Sequence, residues 1–160
     1  MTRIDEFDAV QNPALGSLLL WAFVAEYFRT KGENEGPSFP HMMLVLPILF
    51  NKNFVETIYR KNFNGGLYNA LNEDMSLFVG VQNRMQAMSS LTFRSINVCC
   101  SAKIVLLDKE RYEFIPLRKK SQEYKDNESI HKMLAAARRL GHWFATNDLN
   151  QLCGLLKVRF

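Results

Sequence analysis

The chain has 160 residues, of which 48% are hydrophobic and 22% charged, a globular composition that excludes disorder and suffices for one domain with its own core. The net charge of +4 is unevenly placed: residues 1–80 hold 6 Lys/Arg and 9 Asp/Glu, and residues 81–160 hold 14 and 7. A basic second half of this kind attracts nucleic acid or an acidic protein surface, and much of it also serves only to solvate the fold.

The residues Met1 to Asp8 are acidic where a secretory signal starts positive, so export is not expected. Asn12 followed by Pro13 supplies a cap and a first-turn proline, which predicts a helix from Pro13 to about Thr30. Its stretch from Leu15 to Val24 is apolar around most of the circumference, with Gly16 and Ser17 allowing a neighbour close. The helix is expected at the centre of the core. Lys31 to Ser38 reads as a loop.

Phe39 to Phe50 is almost wholly apolar, and Pro47 argues for a short buried helix that ends near it. Asn51 then opens a helix from Asn53 to Arg60, and Asn64-Gly65-Gly66 marks a turn. The runs Leu18 to Val24 and Met42 to Phe50 are too short to span a bilayer, which needs about 20 residues. No membrane contact is expected.

Asp74 is positioned to cap a helix over Met75 to Met88, with Leu77, Phe78, Val81, Met85 and Met88 at helical spacing. Ser89 or Ser90 begins another over Leu91 to Ala102. Two strands, Lys103 to Leu107 and Tyr112 to Leu117, follow around the polar turn Asp108 to Arg111. Helix, helix, hairpin is the order of a winged helix. In a DNA-reading winged helix the second helix enters the major groove and the hairpin touches the backbone. That alternative nominates Thr92, Arg94, Ser95 and Asn97 for bases, with Lys103, Lys109 and Arg111 for phosphates. Winged helices also serve as protein-docking units, so the order alone does not establish DNA reading.

Arg118 to Asn127 reads as an exposed basic linker. A helix over Glu128 to Phe144 follows, with Ile130, Met133, Leu134, Ala137, Leu140 and Phe144 on one face and Gly141 where another backbone comes close. Asn147 caps a last helix with Leu149, Leu152, Cys153 and Leu156. The expected fold is mainly α, a single compact unit over residues 1–160. Its sub-regions are a helical core at 12–71, a winged-helix-like unit at 74–117 and C-terminal helices at 128–160.

Chemistry is the weak side of the sequence. Cys99, Cys100 and Cys153 cannot all pair, and adjacent cysteines staple nothing, so they read as reduced thiols in the cytoplasm. No C-x-x-C or H-x-x-x-H spacing offers a metal site, and no cofactor is expected. His131 and His142 stand about 16 Å apart along a helix and cannot share an ion. A nucleophile elbow, a phosphate-binding loop and H-E-x-x-H are all missing, which predicts neither an enzyme nor a small-molecule substrate.

Three stretches carry a resemblance: Asn12-Pro13-Ala14-Leu15-Gly16-Ser17-Leu18-Leu19-Leu20-Trp21, then Leu46-Pro47-Ile48-Leu49-Phe50, then Ala137-Arg138-Arg139-Leu140-Gly141-His142-Trp143-Phe144-Ala145. Together they are similar to the middle component of bacterial three-component ABC ATPase systems, the group that includes Lamassu-type defence against phages and plasmids. The resemblance implies a non-catalytic adaptor between an SMC- or Rad50-like ATPase and an effector, often a nuclease. ATP hydrolysis and cleavage then belong to the partners, and any DNA is met through the complex. The apolar motif residues are expected in the core, leaving hydrophilic residues in or near the motifs, Glu26, Arg138, Arg139 and His142, as candidates for partner contact.

Overall fold

The structure, a computed structural model, describes residues 12–118 and 127–160. The acidic start at Met1 to Asp8 and most of the basic linker lie outside the described residues. Helix α1 (Pro13–Thr30) begins where Asn12 Oδ1 accepts the N–H groups of Ala14 and Leu15, and it runs as the expected central helix. Leu19, Leu20, Phe23 and Val24 are sealed inside, and the same core takes residues from every later region of the chain.

Helix α2 (Phe39–Leu49) runs past Pro47. A proline withholds one backbone N–H, but it falls in the last turn, and the N–H of Phe50 still reaches Leu46 O at 2.9 Å. Burial of Val45, Leu46, Ile48 and Leu49 keeps that turn helical. The start of α2 uses a buried histidine: His41 Nδ1 accepts the backbone N–H of Ser38 at 3.1 Å and lies 2.8 Å from its Oγ. Helix α3 (Lys52–Ile58) is capped by Asn51 as expected.

An eight-residue helix, α4 (Gly66–Glu73), follows the glycine turn where none was foreseen. Two turns carry too few apolar positions to show a period, and Gly65 at φ 73° sets the chain direction into it. The helix expected over Met75 to Met88 is broken instead. A 3-10 turn (Met75–Phe78) and helix α5 (Val81–Ala87) meet at Gly80, whose φ of 85° no helix accommodates.

Helix α6 (Ser89–Ser101) and the antiparallel strands β1 (Val105–Asp108) and β2 (Glu113–Pro116) complete the helix, helix, hairpin order of the winged-helix-like unit. Val105 stands opposite Pro116 and Asp108 opposite Glu113. Asp108 Oδ1 fixes the turn by accepting the N–H groups of Glu110 and Arg111. Helix α7 (Glu128–Thr146) crosses α1, and α8 (Leu149–Leu156) closes the described chain. Its cap is Asp148 rather than Asn147, which is spent on α7: its Nδ2 donates to Trp143 O at 2.7 Å.

Two glycines let α1 be crossed twice. A Cβ on Gly141 would lie 2.6 Å from Phe23 O, and one on Gly16 would lie 2.2 Å from Ser95 Oγ. The mainly α architecture with one hairpin therefore hangs on α1, which packs against α6 and β2 on the winged side and against α7 on the other.

Candidate partner-binding site

The third motif, on α7, divides its residues between two jobs. Arg139, His142 and Trp143 turn toward the loop between α3 and α4. Arg139 Nε donates to Lys61 O at 2.7 Å, with the guanidinium 4.8 Å from the centre of the Phe63 ring. Trp143 Nε1 donates to Phe63 O at 2.9 Å. His142 bridges Thr30 Oγ1 and Asn64 Oδ1, each at 3.3 Å, with Phe63 set edge-on to its ring. These side chains hold a loop that has no ladder of its own to satisfy its carbonyls. Burial, with Arg138 beside it, pulls the Arg139 pKa below its ordinary value, a further mark of a half-sequestered group.

Arg138 faces the other way. With Glu26 it flanks a notch of about 140 Å³ where α1, the end of β2 and α7 meet, floored by Trp21, Ala25, Phe28 and Pro116. Glu26 is held by Arg29, whose Nε donates to its Oε2 at 3.1 Å. Trp21, placed in the core by its sequence context, also serves the site's frame, since its Nε1 donates to Arg118 O at 2.8 Å and ties the exit of the hairpin to α1. Two of the four nominated contact residues, Glu26 and Arg138, are therefore brought together at one surface depression. The other two support the neighbouring loop.

The winged side divides similarly. Arg94, Asn97, Lys103, Lys109 and Arg111 are exposed. Arg111 already donates from Nη1 to Asn34 O at 3.1 Å and lies 3.8 Å from Glu113. Thr92 and Ser95 have no exposed surface and cannot reach a duplex. The reason is the crossing with α1, where Ser95 lies over Gly16 and a small side chain is the only kind that fits.

No group of three His, Cys, Asp or Glu residues able to hold a metal occurs among the described residues, and none of their helices is long and apolar enough to cross a membrane. What the described surface presents is a helical scaffold with a projecting hairpin and one notch of mixed charge over an apolar floor, the equipment of a recognition protein. The family model of the ABC-three component (ABC-3C) system Middle Component 3 matches residues 1–160, so the chain belongs to that family. It is the middle component of a bacterial three-component ABC system. No curated protein and no solved structure matches the chain.

Proposed function

We propose that this chain is a non-catalytic adaptor that joins an SMC- or Rad50-like ABC ATPase to an effector, often a nuclease, in cytoplasmic defence against phages or plasmids. The observation that carries the reading is the family match over the whole chain. The notch supplies a place for one contact: an apolar floor anchors a partner side chain, while Glu26 and Arg138 fix its orientation through charges of opposite sign.

Co-expression with the ABC ATPase and the effector of its three-component system is expected to yield a complex that survives gel filtration. Arg138→Glu, which replaces a cation of the notch with a carboxylate beside Glu26 and Glu33, is expected to weaken capture of one subunit about tenfold or more. A folded chain that captures neither subunit overturns the adaptor reading. Capture untouched by Arg138→Glu removes the notch from it.

A second reading, direct duplex binding through α6 and the hairpin, has one observation in its favour. Residues 75–107 contain no Asp or Glu, while Arg94, Asn97 and Lys103 are exposed there. Under that reading the isolated protein binds duplex DNA in a salt-dependent manner and Arg94→Glu abolishes it. The absence of such binding at low salt removes this reading.

A further inference from the structure

The turn into α4 carries the one place in the sequence where asparagine is followed by glycine, Asn64-Gly65. Both residues are exposed, and Gly65 holds φ 73° with nothing within 4 Å of where its side chain would stand. Its N–H is given to no acceptor among the described residues. An amide nitrogen is a weak nucleophile, but one with no Cβ beside it and no hydrogen bond to break is the most approachable that the main chain offers. It stands one backbone carbonyl from the Asn64 side chain, so attack on the side-chain amide carbon closes a five-membered ring. Ring closures of this kind gain from the nearness of the two groups.

The fold adds a third group. His142 Nε2 lies 3.3 Å from Asn64 Oδ1, and Nδ1 lies 3.3 Å from Thr30 Oγ1. A carbonyl oxygen only accepts, so Nε2 donates to it and Nδ1 accepts the Thr30 hydroxyl. Phe63, edge-on at 5.5 Å, holds the ring from another side. A donor fixed on an amide oxygen withdraws electrons from the carbon and stabilises the negative charge that grows when a nucleophile adds.

We propose that Asn64-Gly65 is a site of self-modification, in which the Gly65 nitrogen converts Asn64 through a succinimide to aspartate and isoaspartate while His142 polarises the reacting carbonyl. The Gly65 nitrogen forms a bond to Asn64 Cγ and gives up its proton; the Cγ–Nδ2 bond breaks, and Nδ2 leaves with that proton as ammonia. Water then opens the ring. Addition at Cγ restores the backbone and leaves aspartate, and addition at the main-chain carbon leaves the chain linked through the side chain, one methylene longer. Nothing is oxidised or reduced. Either product adds a negative charge to the loop that His142, Arg139 and Trp143 hold. The inference goes beyond the adaptor reading and does not depend on it.

The test incubates the full chain, folded and in urea, at mildly alkaline pH. Conversion is read at Asn64 by the mass gain of amide-to-acid exchange and by isoaspartate-selective methylation. In the folded chain Asn64 is expected to convert ahead of the other asparagines and within about tenfold of its own rate in urea. His142→Phe keeps a ring beside Phe63 without the donor, and is expected to slow conversion at least about threefold in the folded chain but not in urea. Asn64→Gln, whose ring would need six members, is expected to lose the signal. Folded-state conversion more than about tenfold slower than in urea shows that the fold protects Asn64 and overturns the site. Equal folded-state rates in the parent and in His142→Phe overturn the role given to His142. Should that variant not fold, Thr30→Val, which removes the partner of Nδ1, decides the same point in the same way.

Discussion

His41 shows how one residue type serves structure when its surroundings are dry. Its Nδ1 accepts the Ser38 N–H at the start of α2, while Tyr27 packs edge-on to the ring at 5.2 Å. Burial, reinforced by the charge of Lys31, lowers its pKa from 6.5 to about 4. The imidazole is therefore neutral in the fold and titrates in the unfolded chain. Between about pH 6.5 and pH 4 the unfolded state binds more protons than the native state, so stability rises with pH through that window and is lost as pH falls. The full difference corresponds to about 3 kcal/mol. His41→Gln keeps a side-chain acceptor for the cap without the proton, and is expected to flatten the dependence of the urea midpoint on pH between 4.5 and 7. An unchanged slope in the variant would show that other groups carry it.

At the scale of elements, the crossing of α1 and α7 decides how far helix propensity can be trusted. Alanine is favoured over glycine inside a helix by about 1 kcal/mol. At Gly154, where nothing lies within 4 Å, Gly154→Ala is expected to raise stability by up to that amount. At Gly141 the added Cβ would meet the backbone oxygen of Phe23 at 2.6 Å, which cannot rotate away. Separating two packed helices costs about 1–3 kcal/mol, so Gly141→Ala is expected to lower the urea midpoint at unchanged m value. A midpoint that rises in both variants would refute the close crossing. The interior glycine of the last motif was legible in the sequence as a place where backbones approach. The partner backbone was not, because nothing in the local pattern names a residue 118 positions away.

The same limit explains the divided motif. Periodicity placed Arg138 and Arg139 off the main apolar face, and both are only half-buried, as is the neighbouring His142. Which of them meets solvent and which meets the loop between α3 and α4 depends on where that loop runs, which its own glycines and Trp143 determine through tertiary contact. Thr92 and Ser95 mislead for a related reason: small polar residues read as surface, yet they also allow the closest packing between helices.

For the whole molecule, the three sub-regions share one apolar core, and α1 touches the elements on both sides of it. We expect residues 12–118 and 127–160 to unfold in one cooperative transition, with the calorimetric and van't Hoff enthalpies equal. Two separated transitions would show that the winged-helix-like unit at 74–117 holds together by itself. Long elements with strong caps, α1 and α7 above all, were determined by the sequence alone, because capping and apolar periodicity act within a few residues. So was the hairpin, whose polar turn separates two short β-prone runs. Only the tertiary structure decided that Gly16 meets Ser95, that Gly141 meets Phe23, and that Glu26 and Arg138 share a notch. Each of these depends on distances between segments remote in sequence, where burial and steric fit outweigh local preference.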